Sequence, residues 1–549
     1  NDGSGDGSQG RPWATIGHAL AALPQEGGDT VLVQDGEYVG ANTVTRAFGQ
    51  RTTVKAEHPY RARLTSAAGG VEPLRIYTPG PARLRFEGFV ISNADPSYAC
   101  TGGRESYYLI HLQDASDVQL VDNVVFGNNR PGHCNELLKI NRSVETAYPK
   151  DILIQGNLFY DQADAGGADL IDAVRPGEVE IADNIFLGDP AHARSQSFIT
   201  LKRQAPASGA PKSPRYWVHR NVFLSWGGKT DQAFVQLGED GVAEVEIEDA
   251  LIENNLMIGN SPTTMAAPFQ LKGAQNVRVR ANTVVGDLPS GSFGFRIGTE
   301  GENPAVSGFL IGGNLFADPT GTMGSRLVNS YGQVNVSSIT LDHNLFWNGG
   351  NPLPTGGSVA ATTDAHRLVA DPLLPVDQSG LVLPRFDEAA GRFPSGRTTI
   401  RDELLRLVET HGALGAGSPA IDSADLSDMP AEDIRGLARD PRPDRGAYEF
   451  GAGTIPSLDA GAVAPEDAGS ALPGADAAAD APGDAGGTPS GADGGTLAPG
   501  TDASGRAGAD AGGVTVISEG CGCAAGGGGA GVVAAALGLC LVPGRRSRR

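Results

Sequence analysis

Seven short segments, LIHLQD, LLKIN, LIDAV, FITLKR, FVQLG, FQLKG and FRIG, share one register, a polar residue between apolar neighbours. In a strand, successive side chains point to opposite faces, so where the neighbours are core the residue between them faces out. This puts His111, Lys139, Asp172, Thr200, Gln236, Gln270 and Arg296 in one exposed column, with Lys202 and Lys272 facing the same way two positions further along. Cations such as Lys139, Lys202, Lys272 and Arg296 can neutralise a carboxylate, and a basic side chain that takes the proton beside it starts an elimination. Lys139, Asp172, Lys202 and Arg296 therefore form the candidate catalytic set, with Asp172 as metal ligand, cation orienter or acid. His111, Gln236, Gln270 and Lys272 are candidate substrate contacts. The plainer alternative is that all are solvated residues on a strand face.

A second phrase sets the scaffold: VQLVDNVVF around Asn123, ILIQGNLFY around Asn157, VEIADNIFL around Asn184, YWVHRNVFL around Asn221 and LIENNLMIG around Asn255. VRVRANTVV at Asn282, FLIGGNLFA at Asn314 and ITLDHNLFW at Asn344 continue it, with separations of 34, 27, 37, 34, 27, 32 and 30 residues. A period near 30 with variable insertions is the mark of a solenoid. The third residue before each Asn is apolar: Leu120, Ile154, Ile181, Val218, Ile252, Val279, Ile311 and Leu341. Alternating apolar, β-branched residues describe half-buried strands, and the period is too short for a helix in every unit. The expected fold is all-β, a right-handed parallel β-helix. An Asn amide both donates and accepts, so equivalent residues on adjacent coils predict a hydrogen-bonded ladder, with Asn in the left-handed backbone of the turn and the next apolar residue re-entering the core. In an earlier coil, LRFEGFVIS, Gly88 falls at the corner one residue out of phase.

Every Phe, Trp and Tyr lies in the first 450 residues, so the core ends there. The net charge of −22 repels phosphate backbones and argues against nucleic acid as partner. Cys100 and Cys134 are read as a disulfide, because an exported chain meets an oxidising compartment. The sequence starts at Asn1 without a basic-then-apolar leader, so a signal peptide, if there was one, is expected to have been removed, and export is inferred from the other end.

The opening GDGS, PWATI, an amphipathic helix over about 14–23, then GDTVLVQDGEY with a first strand over 30–34, followed by Asn-apolar coils, resembles the pectate-lyase-like right-handed β-helix superfamily. Membership implies an N-terminal cap helix, an elongated polar face suited to a polysaccharide, and Lys or Arg as the base of a lyase. Three phrases of related enzymes are missing: the polygalacturonase Asp pair with His-Gly and Arg-Ile-Lys, the Asp-Pro-His of alginate epimerases, and the Arg-x-Pro-x-x-Arg of pectate lyases. A fold alone does not give a function. Two readings follow, a lyase or related carbohydrate-active enzyme and a non-catalytic adhesin, with a monomer expected in either case.

The chain divides into an N-terminal loop, helix and first strand (1–40), coils (41–350), a closing segment (351–450), a stalk (451–515) and a tail (516–549). The closing segment has ADPLL, a predicted helix over 398–410 and GAGSPAIDSAD to RDPRPDRGAYEF. Through Ser418, Pro419, Ala420, Ile421 and Asp422, and Asp444, Gly446, Ala447, Tyr448 and Glu449, it resembles the Gly-Ala-Tyr-Glu segment of exported bacterial β-helix proteins, which implies a C-terminal cap. Calcium among its carboxylates is the sharper reading, solvated turn carboxylates the simpler one. The Gly/Ala/Pro/Asp stalk has almost nothing to bury and reads as a disordered spacer. The tail, EGCGC, an apolar run and GRRSRR, is long enough to span a bilayer with its arginines in the cytoplasm. It resembles the C-terminal sorting signal of myxobacterial surface proteins, which implies cleavage by a sorting protease near Cys521 or Cys523, lipidation of a cysteine, and display on the outer surface.

Overall fold

The repeated short strands stack in parallel, one coil above the next, around a continuous apolar interior. The computed structural model describes residues 2–453 except 41, 67–71, 94–107, 129–134, 145–146, 162–167, 189–195, 207–212 and 376–379. These belong to the compact unit Asn1–Ala462; the unit Val463–Arg549, with Cys521 and Cys523, lies outside the described residues, as do Cys100 and Cys134. The architecture is a right-handed parallel β-helix. All strand pairings between coils are parallel, in a 19-stranded sheet and a 12-stranded sheet.

Each coil has three faces. The first carries Leu138–Asn141, Ile171–Val174, Ile199–Lys202, Val235–Leu237, Phe269–Lys272 and Phe295–Gly298. The second carries Ile152–Gln155, Val179–Ala182, Tyr216–His219 and their successors, and the long strands Leu74–Glu87 and Ile110–Val121 bend across both faces. The third is the separate sheet, with Leu158–Tyr160, Ile185–Leu187 and Val222–Leu224.

The ladder forms as the spacing predicts. From Asn123 to Asn344 each Nδ2 donates to the Oδ1 of the next Asn at 2.9–3.1 Å. The same Oδ1 also accepts the preceding Asn's backbone N–H, while each Nδ2 gives a second bond to a carbonyl, as Asn184 does to Ile154 O at 2.9 Å. Asp364 ends the chain of bonds by accepting from Asn344 Nδ2 at 2.9 Å. One detail of the expectation is corrected. The left-handed residue is the one before the ladder Asn: Asp122, Gly156, Asp183, Arg220, Asn254, Ala281, Gly313 and His343. Gly88, at φ +82°, is therefore in phase with these, and Phe89 takes the ladder position, its N–H donating to Asn123 Oδ1 at 3.0 Å.

The residue after each Asn does not re-enter the core. On the third face only the middle residue points in, and Phe159, Phe186 and Phe223 stack with centroids 5.3 and 5.0 Å apart. The flanking Leu158, Tyr160, Ile185, Leu187, Val222 and Leu224 point out, into a second apolar cluster with Phe386, Ile400, Leu404, Leu407, Ala420 and Ala447. Both sides of these strands are buried, which is why their sequences are apolar throughout.

The closing segment thus covers the side of the rod over most of its length, and only its first residues reach the end that it was expected to cap. Glu388 pairs with Arg63 at 3.1 Å near the N-terminal coils, and Arg445 donates to Asn344 O at 2.9 Å near the last one. Val359 and Ala361, which join the core, close the C-terminal end. The N-terminal end is covered as expected by a helix, α1 (Ile16–Ala22), N-capped by Thr15 and burying Ile16 and Leu20. The carboxylates of the closing phrase divide: Asp422 and Asp440 are exposed on turns, as the simpler reading expects, and others are buried. Buried Asp433 and Glu449 pair with Arg435 and Arg439 at 2.8 and 2.9 Å, and Asp444 accepts the Asp422 N–H at 2.8 Å.

The second helix, α2 (Ile400–His411), lies against the third face and carries a buried imidazole. Burial first, and Arg406 second, lower His411 to about 4. The unfolded chain takes this proton from about pH 6.5, the folded chain only near 4, so stability is lost as pH falls through that window. His411→Leu is expected to remove that loss, seen as a flatter dependence of the melting temperature between pH 6.5 and 4.

Candidate functional site

Strand pairing puts the polar column in register: Arg75 beside His111, then Lys139, Asp172, Thr200, Gln236, Gln270 and Arg296. Lys202 and Lys272 follow on the same face, at the ends of their strands. The shared face is thus as the sequence predicts, but its exposure is not. Lys139, Asp172 and Lys202 are 6%, 2% and 4% exposed, and His111, Gln236, Gln270 and Lys272 are buried too, leaving Arg75 and Arg296 partly open at the two ends. Pleat parity gives the direction of a side chain and says nothing of what covers it.

At the centre, Asp172 bridges two ammonium groups. Lys139 Nζ donates to its Oδ2, and Lys202 Nζ lies 3.8 Å from its Oδ1. Lys139 also faces Glu136 at 4.0 Å, and Lys202 bonds Glu239 and faces Asp240 at 3.4 Å. Burial alone would lower both lysines, but Asp172 with Glu136 for Lys139, and Asp172 with Glu239 for Lys202, hold them above the ordinary range. Burial, then Glu239 and Asp172, raises Asp169 well above the usual carboxyl range. So held, Lys139 and Lys202 are cations, and a proton-accepting role for either would require its carboxylates to be displaced first.

The column's imidazole sits at its N-terminal end. His111 Nδ1 is 3.1 Å from Glu72 Oε1, and its Nε2 is 2.9 Å from Asn141. The Tyr108 ring stands edge-on to it at 4.9 Å and lies 5.7 Å from Lys139 Nζ. A carboxylate that fixes the ring and tautomer of an imidazole is a common arrangement for moving protons. Sequence reasoning missed Glu72 and Tyr108, which lie in segments without the Asn phrase. At the other end Gln270 donates to Gln236 at 2.8 Å, Arg296 lies 4.6 Å over the Tyr331 ring, and Lys272 is 3.5 Å from Glu300.

Asp172, the column's carboxylate, is engaged by the two lysines. Among the described residues, the one group with three His, Cys or carboxylate donor atoms within 4.8 Å of one another is Asp342, His343 and His366, at a corner of the last coils.

No protein-family model matches the chain, and no curated protein does. Among solved structures, the chain is similar to the pectate lyase Pel9A at 14% identity and a TM-score of 0.43, over 82% of this chain and 94% of that one. An alginate lyase from Paenibacillus sp. str. FPU-7 matches at 16% identity and a TM-score of 0.38, over 58% and 96%. The PL6 family polysaccharide lyase Pedsa3628 from Pseudopedobacter saltans matches at 15% and 0.38, over 65% and 92%. At these identities the likeness is one of architecture and carries nothing about substrate.

Proposed function

We propose that the chain binds an extended polysaccharide along its first face and cleaves it by elimination. The observation that carries this is the column itself: an oriented imidazole, two lysines and two flanking arginines on one face. Arg75 and Arg296 are seven coil spacings apart, about 34 Å, the span of several sugar units. In this reading the arginines receive carboxylates of an acidic polymer, Lys139 and Lys202 stabilise charge that develops beside the scissile bond, and His111, oriented by Glu72, takes the proton.

A second reading has its own observation. The lysines are buried and already paired, as befits a structural network in a non-catalytic adhesin. Incubating the full chain with a panel of uronic-acid polymers separates the two. The lyase reading expects a rise in ultraviolet absorbance from the conjugated alkene, whereas binding without absorbance leaves the adhesin and absence of both removes the polysaccharide. The tail, outside the described residues, is read as the surface anchor on the strength of its Cys-Gly-Cys, apolar run and arginines. Its removal is expected to shift the protein from the cell surface to the medium.

A further inference from the structure

The His-Asp-His group belongs to no step proposed above. Asp342 ends the strand Ile339–Asp342, and His343 follows in the left-handed corner position at φ +52°. His366 comes from the turn just after the ladder's end, where its N–H donates to Asp364 Oδ1 at 2.9 Å. Asn344 on one side and Asp364 on the other are fully buried and bonded to each other, so the two histidines are carried by the end of the ladder.

Both imidazoles turn Nδ1 toward one atom. His343 Nδ1 and His366 Nδ1 lie 3.0 and 2.7 Å from Asp342 Oδ1, and the rings stack with centroids 4.5 Å apart. His343 Nδ1 is shielded from solvent and makes no well-formed hydrogen bond. Donors on one tetrahedral zinc ion, with bonds of about 2.0–2.2 Å, stand about 3.3 Å apart, so a small outward movement of this trio suffices to admit the ion. Beside it lies a hollow of about 10 Å³ lined by Gly313, Asp342, His343, Asp425, Asp428 and Met429, on the order of one water-sized occupant. Asp425 and Asp428 bring further negative charge to it.

We propose that Asp342, His343 and His366 bind a divalent transition-metal ion of the zinc class. Two imidazoles and a carboxylate select such an ion over calcium or magnesium, which take oxygen donors. Three protein donors leave a fourth position for water or for a carboxylate of the hollow. The ion would tie the turn after the ladder to the last coil.

The test is calorimetric titration of zinc chloride into the full chain, stripped of metal and with its thiols alkylated so that the tail cysteines do not compete. One ion per chain is expected, with no heat from calcium. His366→Ala changes a largely exposed side chain, and Asp342→Asn keeps the shape of the carboxylate. Each is expected to weaken zinc binding at least about tenfold, since losing a ligand costs no less than losing a residue that orients one. The absorption spectrum of bound cobalt should show nitrogen and oxygen donors and no thiolate band. Absence of zinc binding, or binding unchanged in both variants, overturns the site.

Discussion

Asn184→Ala is expected to lower the unfolding free energy by about 3 kcal/mol, the upper end for a buried polar group left unpaired. The side chain makes more than one bond, which places it there. Its Oδ1 accepts from the N–H and Nδ2 of Asn157, and its Nδ2 serves Asn221 Oδ1 and Ile154 O. Alanine leaves these partners at zero exposure, and the Asn157 N–H loses its acceptor. Urea unfolding of the variant and parent measures the difference, and a change below about 0.5 kcal/mol, the level of an ordinary surface substitution, would show that the ladder contributes little.

Asp172→Leu is expected to cost about 3–5 kcal/mol, because it removes the carboxylate shared by two buried ammonium groups. Glu136, Glu239 and Asp240 remain, but each serves one lysine only. Replacing Lys139 and Lys202 by Met in the same chain should recover much of the loss, as an apolar set of similar volume often does. Unfolding of the single and triple variants checks this. A triple variant as unstable as the single would mean that the cost came from packing, or from Glu136, Glu239 and Asp240 deprived of their lysines, and not from the two ammonium groups.

The ladder and the solenoid were legible because both follow from one repeated phrase. Eight Asn at one phase of an apolar pattern leave few alternatives, and strand parity put His111, Lys139, Asp172 and Arg296 on one face correctly. What parity does not carry is depth, so a column read as exposed is buried. The outward Leu158, Ile185 and Val222 were misread for a related reason. An apolar residue looks alike in sequence whether it meets the rod's interior or a segment about 180 to 245 residues away. Only the fold brings Ile400 and Leu404 to that face. The left-handed corner residue was hidden because Asp, Gly, Arg, Asn, Ala and His all occupy it. Glu72 reaches His111 across 39 residues, with no motif to announce it.

The first face as the place of binding is tested most directly by comparing two arginines. Arg296 ends the polar column, whereas Arg278 is exposed on the second face. Affinity for whichever uronic-acid polymer the full chain binds should fall about tenfold or more in Arg296→Ala, the loss of one charge-assisted contact, and the remaining binding should depend less on salt. Arg278→Ala should bind like the parent. Equal losses in the two variants, or a loss confined to Arg278→Ala, would contradict a site on the first face.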